Sequence, residues 1–295
     1  MTKTTSDFVR FVDAGIDWIT ITCDDPIKKT QVELHVQKLT HQLRKLGEVV
    51  SPWSMYGFEG LRVSSLQYGW RDDAILVRAS SDTASMSWRK LGKLATGCSR
   101  LDIMATVEYK SQPNQITKNH LRQMTRWRRR RKSAPALSIF HDADGPSTVY
   151  VGKRISDRFG RIYNKAAESG MDQYRNSVRY ELELKNAAAM VALREMLIEA
   201  DEAKAAIAIC RQYFGDRGAY LEWPAEVGKL IVSPRSRSTA EKRLRWLADS
   251  VKGTVQELID CGRLSEVLAA LGLNEAMLVH MDQLTSTSTT LKEVH

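Results

Sequence analysis

In residues 177–185 the charged side chains Arg179, Glu181, Glu183 and Lys185 fall on one parity, and Tyr180, Leu182 and Leu184 fall on the other. Successive side chains of an extended chain point to opposite faces, so this segment reads as a strand with one charged and one apolar face. Residues 98–110 repeat the pattern: Arg100, Asp102, Met104, Thr106 and Glu108 alternate with Leu101, Ile103, Ala105 and Val107. Strands buried in a parallel sheet would read as unbroken apolar runs. Two-faced strands therefore predict an antiparallel sheet, packed on one side and charged on the other.

Further strands are read at 15–23, 57–65, 67–70, 74–79, 137–141 and 148–151, with a short extended piece at 161–165. The cluster Asp142, Ala143, Asp144, Gly145 and Pro146 reads as a hairpin turn. Helical spacing of apolar residues predicts helices over 28–46, 81–94 and 117–131, a helical run over 187–213, and two more helices within 238–271. The tail after Met281 reads as frayed. The fold class is α+β: a central antiparallel sheet flanked by helices, with a helical C-terminal part. We divide it into a domain over 1–186 and a mainly helical region over 187–295. That second region packs on the first, or contributes to DNA binding or dimerisation through Lys242, Arg243, Arg245 and Trp246.

The chain has 295 residues, 43% of them hydrophobic, enough for a substantial core. It shows no apolar run of membrane-spanning length and no signal-peptide core at its start, which predicts a cytoplasmic protein with no membrane partner. Cys23, Cys98, Cys210 and Cys261 form no CxxC pair, so buried free thiols are expected. A net charge of +9 favours a polyanionic partner. The cations concentrate in the run Arg126, Trp127, Arg128, Arg129, Arg130, Arg131 and Lys132. Like charges so close on a helix repel, and a DNA backbone would relieve the repulsion. Trp127 either stacks on an unpaired base or packs inward with Leu121 and Met124.

The charged sheet face has two readings. Carboxylates on neighbouring strands can converge on a hard cation such as magnesium or manganese; alternatively, they form solvated ion pairs with the arginines around them. Tyr163 stands between Arg161 and Lys165. In an extended segment the three share a face, where two cations can grip a phosphate and favour the ionised phenol. A half-buried packing tyrosine is the plainer reading. A metal, phosphate-gripping cations and an in-line hydroxyl are together what phosphoryl transfer requires.

Four segments, in order, resemble the Rep_trans family of rolling-circle replication initiators: residues 15–20; residues 98–103, with Arg100 and Asp102; residues 150–168, which hold Tyr163; and residues 179–185. The longest of these is the most specific. The resemblance implies a Rep nuclease-like fold and a metal-dependent, site-specific single-strand DNA endonuclease. Tyr163 would form a 5′-phosphotyrosyl link at an origin, leave a free 3′-hydroxyl, and religate the strand at termination. Arg161 and Lys165 would assist it. Asp102 and Glu181 would hold a divalent metal, magnesium or manganese, with Glu183 as a third ligand. Arg100 and Arg179 would join the basic run in contacting DNA. The implied partners are origin DNA of a plasmid, phage or mobile element, a host helicase and a second copy of the chain. The same chemistry serves relaxases of mobile elements, and a non-catalytic DNA-binding protein of the same fold is the reading from another class. Where the family's Arg-x-Asp strand often carries a second aspartate, this chain has Thr106, with Glu108 as a candidate substitute. None of the six histidines forms a His-hydrophobic-His pair.

Overall fold

Ten antiparallel strands form one sheet in the order β2-β3-β4-β5-β1-β6-β10-β9-β8-β7. The computed structural model describes residues 7–132, 134–140, 148–221 and 223. All lie in the first of two compact units, Met1–Ser233 and Pro234–His295. In chain order the elements are β1 (Phe8–Cys23), α1 (Pro26–Lys45), β2 (Val50–Met55), β3 (Phe58–Val63), β4 (Leu66–Arg71), β5 (Ala74–Ser80) and α2 (Ser81–Leu94). They continue with β6 (Gly97–Tyr109), α3 (Pro113–Arg129), β7 (Leu137–Phe140), β8 (Thr148–Val151) and β9 (Arg158–Asn164). Last come α4 (Lys165–Ser169), a 3-10 turn (Asp172–Tyr174), β10 (Ser177–Lys185), α5 (Asn186–Ile198) and α6 (Glu202–Gly215). The α+β class and the antiparallel sheet agree with the sequence reading.

Several boundaries differ for local reasons. Strand β2 escaped the pattern because it is an edge strand with a proline, Pro52, where a missing N–H costs no ladder bond. Helix α3 begins at Pro113, which opens the helix as its first residue and does not break the chain. The helical run over 187–213 is two helices. Asp201 caps the second by accepting a 3.0 Å bond from the Lys204 N–H, which stops the first from running on. The hairpin turn at 142–146, the helices within 238–271 with Lys242, Arg243, Arg245 and Trp246, and the tail after Met281 lie outside the described residues.

The apolar parity of each central strand faces the helices. Leu101, Ile103, Ala105 and Val107 of β6 and Tyr180, Leu182 and Leu184 of β10 are buried with residues of α2, α5 and α6 in one core. Cys23, Cys98 and Cys210 are buried free thiols within it. Glu202 at the start of α6 ties the layers together, accepting from the Ile16 N–H at 3.2 Å and from the Trp88 indole at 2.6 Å. Gly15 makes this approach possible: a Cβ there would stand 2.6 Å from the Glu202 carboxylate. No helix among the described residues is long and apolar enough to cross a membrane.

A buried polar chain runs under β10. The Tyr180 hydroxyl lies 2.6 Å from the Tyr109 hydroxyl and 2.6 Å from His120 Nε2, and the Trp223 indole donates to Tyr109 at 3.2 Å. Tyr180 is fully buried, so Tyr180→Phe removes the hydroxyl that bonds both His120 and Tyr109 in a dry site. The expected loss is about 1–3 kcal/mol, read as a lower denaturation midpoint at unchanged m-value. An unchanged midpoint would mean that the chain carries no net stability.

Candidate active site

The opposite parity of the same strands builds the site, in four rows that cross the sheet. The first row runs Thr148, Tyr163, Arg179, Thr106, Asp13, each residue opposite the next. The second is Tyr150, Arg161, Glu181, Met104, Gly15. The third is Phe159, Glu183, Asp102, Trp18, and the fourth is Lys185, Arg100, Thr20, Arg78.

In the first row Tyr163 is half-buried, and its hydroxyl makes no hydrogen bond among the described residues. Burial, then the Glu181 charge, pushes its phenol well above the ordinary tyrosine value, against the opposing pull of Arg179 and Arg161. The expectation that flanking cations would favour the ionised form is therefore corrected: desolvation outweighs them. Lys165 is corrected too. The strand ends at Asn164, whose side chain caps α4 by accepting from the Ala167 N–H at 3.1 Å, so Lys165 opens a helix and leaves the strand alternation. Its ammonium bonds Glu168 at 2.5 Å and lies 5.3 Å from the Tyr174 ring. The cation opposite Tyr163 is Arg179. It is buried, donates to the Thr106 hydroxyl at 2.9 Å and pairs with Asp13 at 3.2 Å.

The acidic residues lie deeper. Asp102 is 1% exposed, Glu183 3% and Glu181 4%, so the solvated-pair reading fails and each charge needs a close counterion. Arg100 supplies one, gripping both Asp102 oxygens at 2.9 and 2.6 Å and reaching Glu183 at 3.2 Å. Lys185 bonds Glu183 at 2.9 Å, and Arg161 is joined to Glu181. Burial raises the Asp102 and Glu181 carboxyls above the usual range, and their guanidinium partners only partly offset it. Carboxylate oxygens gathered on one face have the chemistry for a hard divalent ion. Among the described residues, however, no three acidic, histidine or cysteine side chains converge as a metal cluster. The expected trio is divided because Glu181 is drawn to Arg161 while Asp102 and Glu183 share Arg100. Glu108 does not stand in for the missing aspartate: it bonds Arg10 at 2.7 Å, six residues and about 20 Å along β6 from Asp102.

The basic run is elsewhere. Helix α3 packs beneath β9 and β10, as the His120 bond to Tyr180 shows, so it lies on the helical side of the sheet. Asn114, near its start, bonds Asn164, whereas Arg126, Arg128 and Arg129 fill its last turn, about 20 Å away. These three arginines, with Arg130, Arg131 and Lys132 after them, are exposed. Trp127 packs inward: a Cβ on Gly218 would meet its side chain at 2.3 Å, and Arg131 lies 4.6 Å from its ring. Of the residues expected to contact DNA, Arg100 and Arg179 are thus held within the charged sheet face, far from the run.

Sequence reasoning missed Asp13, Arg78 and the site role of Trp18. The guanidinium groups of Arg78 and Arg100 both lie over the Trp18 ring, 4.2 and 4.3 Å from its centroid. A cation in the otherwise apolar stretch Ile75, Leu76, Val77, Arg78, Ala79 was the available signal.

Residues 99–268 match the model of the Rep_trans family, described as replication initiation factor. Among solved structures, the rolling circle replication initiator protein from Geobacillus stearothermophilus is similar to this chain at 16% identity. That match covers 80% of this chain and 96% of the other, with a TM-score of 0.48. No curated protein matches it.

Proposed function

Because this chain belongs to the Rep_trans family of replication initiation factors, we propose that it initiates rolling-circle replication by nicking one strand of origin DNA with Tyr163. The observation that carries this reading is the first row of the site: a half-buried phenol with an uncommitted hydroxyl, opposite a buried arginine, on a charged sheet face. The phenol oxygen attacks the scissile phosphorus in line, and the bond from phosphorus to the 3′ oxygen breaks. The product is a 5′-phosphotyrosyl link with a free 3′-hydroxyl, and attack by a 3′-hydroxyl reverses the step at termination.

A phenol is protonated at neutral pH and burial makes this one harder to ionise, so its proton leaves as the oxygen attacks, and the departing 3′ oxygen takes one up to become the hydroxyl. Arg179 and Arg161 oppose the charge that then develops on the phenol and phosphate. Asp102 and Glu183, opposite each other on adjacent strands, would hold a magnesium or manganese ion, which Glu181 could join only on leaving Arg161. Such an ion would supply charge withdrawal from the scissile phosphate.

The test incubates the protein with single-stranded origin DNA and manganese, then isolates a denaturation-resistant adduct and maps it by mass spectrometry. An oligonucleotide on the peptide that contains Tyr163 supports the reading. An adduct on another residue, or none with the protein's own origin, overturns it.

The exposed run at the end of α3 is proposed to hold duplex DNA through its phosphates. Replacing Arg126, Arg128 and Arg129 together by glutamine should lower duplex affinity. It should also reduce the slope of log K against log salt by about 0.9 for each phosphate that the variant no longer neutralises. An unchanged slope would place the duplex elsewhere.

A further inference from the structure

At the far end of the charged face from Tyr163, the turn between β2 and β3 overhangs a groove of about 530 Å³. Trp18, Tyr56, Arg78, Arg100, Arg154 and Lys185 are among its walls. Its size is that of a small-ligand site. Two of the cations are already answered, Arg100 by Asp102 and Glu183, and Lys185 by Glu183. Arg78 is not. It is half-buried, and its only hydrogen bond among the described residues is a 3.8 Å contact with the Met55 sulfur, a weak acceptor. It forms no ion pair among those residues, and its guanidinium lies 4.2 Å from the centroid of the Trp18 ring. Burial and the nearby Arg100 charge lower its affinity for its own proton. A planar group of fixed donors with only a weak sulfur acceptor, in a groove that Arg100, Arg154 and Lys185 also line, is configured for an oxyanion.

The turn above it adds a second observation. Tyr56 and Gly57 both have positive φ, 53° and 75°, as a two-residue hairpin turn demands. That conformation suits Asn or Gly at its first position, yet a large aromatic stands there, 78% exposed. A strained backbone that holds an exposed ring over a cationic groove points to a planar ligand for the ring.

We propose that this groove is a subsite for the unpaired DNA strand: Arg78 binds one phosphodiester, and the adjoining base stacks on Tyr56. The ligand's identity rests on the strand-nicking reading. The groove is six residues along the strands and four strands across from Tyr163. At about 3.3 Å per residue and 4.8 Å per strand, that is roughly 25–30 Å. The subsite therefore holds the strand several nucleotides from the cut, and fixes which phosphate reaches Tyr163 without touching that phosphate.

Fluorescence anisotropy of a labelled oligothymidylate tests it, with a labelled duplex as control and a salt series for each. Arg78→Gln should weaken oligothymidylate binding about tenfold and lower the slope of log K against log salt by about 0.7, the share of one single-strand phosphate. Tyr56→Ala should weaken it by about fivefold or more, with the slope unchanged, since stacking carries no charge. Duplex affinity should stay within about twofold for both. Unchanged oligothymidylate affinity in Arg78→Gln overturns the proposal, as does an equal loss on duplex. Should Arg78→Gln not fold, Tyr56→Ala on the exposed turn decides, and wild-type affinity there overturns it. The adduct at Tyr163 is scored separately. An adduct with no Arg78 effect sinks the subsite alone, and an Arg78 effect without an adduct sinks the nicking reading alone.

Discussion

Tyr163→Phe is expected to abolish the covalent DNA adduct and slow strand nicking by about 10⁴-fold or more, while Tm moves by less than about 2 °C. The two effects separate because of how the side chain is held. Its ring fills a half-buried place on β9 that phenylalanine fills equally well. Its hydroxyl makes no hydrogen bond among the described residues, so removing it leaves no stranded partner there. A packing tyrosine whose hydroxyl was bonded would show the reverse, lost stability with activity retained. Gel separation of adduct under denaturing conditions and a thermal melt of the same preparation check both halves. Nicking by Tyr163→Phe at the wild-type rate would remove Tyr163 from the chemistry.

Arg100→Met should cost about 3–5 kcal/mol, or about 10 °C in Tm, because it leaves Asp102 buried without its bidentate partner and takes one of two cations from Glu183. The loss should depend on pH in a defined direction. The folded Asp102 carboxyl already titrates above its unfolded value, because burial outweighs Arg100, so the folded state binds the proton more tightly. Stability from this group is present below the unfolded value, near pH 4, and is lost as pH rises through the folded one. Without Arg100 the folded value rises further. The variant should therefore come closest to wild type in mild acid and fall furthest behind it at neutral pH. Manganese should restore part of the neutral-pH deficit if Asp102 and Glu183 accept a divalent ion. Melting curves from about pH 4.5 to 8, with and without manganese, read all three; a deficit independent of pH would mean that Asp102 does not depend on Arg100.

These two results concern one sheet face, and its two halves were unequally legible. The alternation in 98–110 and 177–185 set the antiparallel sheet, named its buried parity and put Asp102, Glu181 and Glu183 on the other. Period-two patterning is a property of single strands, so it survives without knowledge of neighbours. The break between α5 and α6 was less visible, because the Asp201 cap is one local bond inside an apolar run that continues past it. Strand β2 was invisible for a related reason. An edge strand with a proline has little to bury and so carries little pattern.

Sequence alone thus determined which residues share a face, which segment holds the tyrosine and that the protein is strongly cationic. Only the tertiary structure decided who stands beside whom. Register between strands put Arg179, and not Lys165, opposite Tyr163. It gave Arg100 to Glu183 as well as to its strand neighbour Asp102, drew Glu181 away to Arg161, and brought Arg78 and Arg100 from different strands to one Trp18 ring. The physical reason is that a side chain's charge state depends on burial and on neighbours within a few ångströms, and those neighbours come from strands as much as 166 residues apart, as Asp13 and Arg179 are. The phenol whose ionised form the flanking cations in the sequence would favour is pushed the other way by the sheet that buries it.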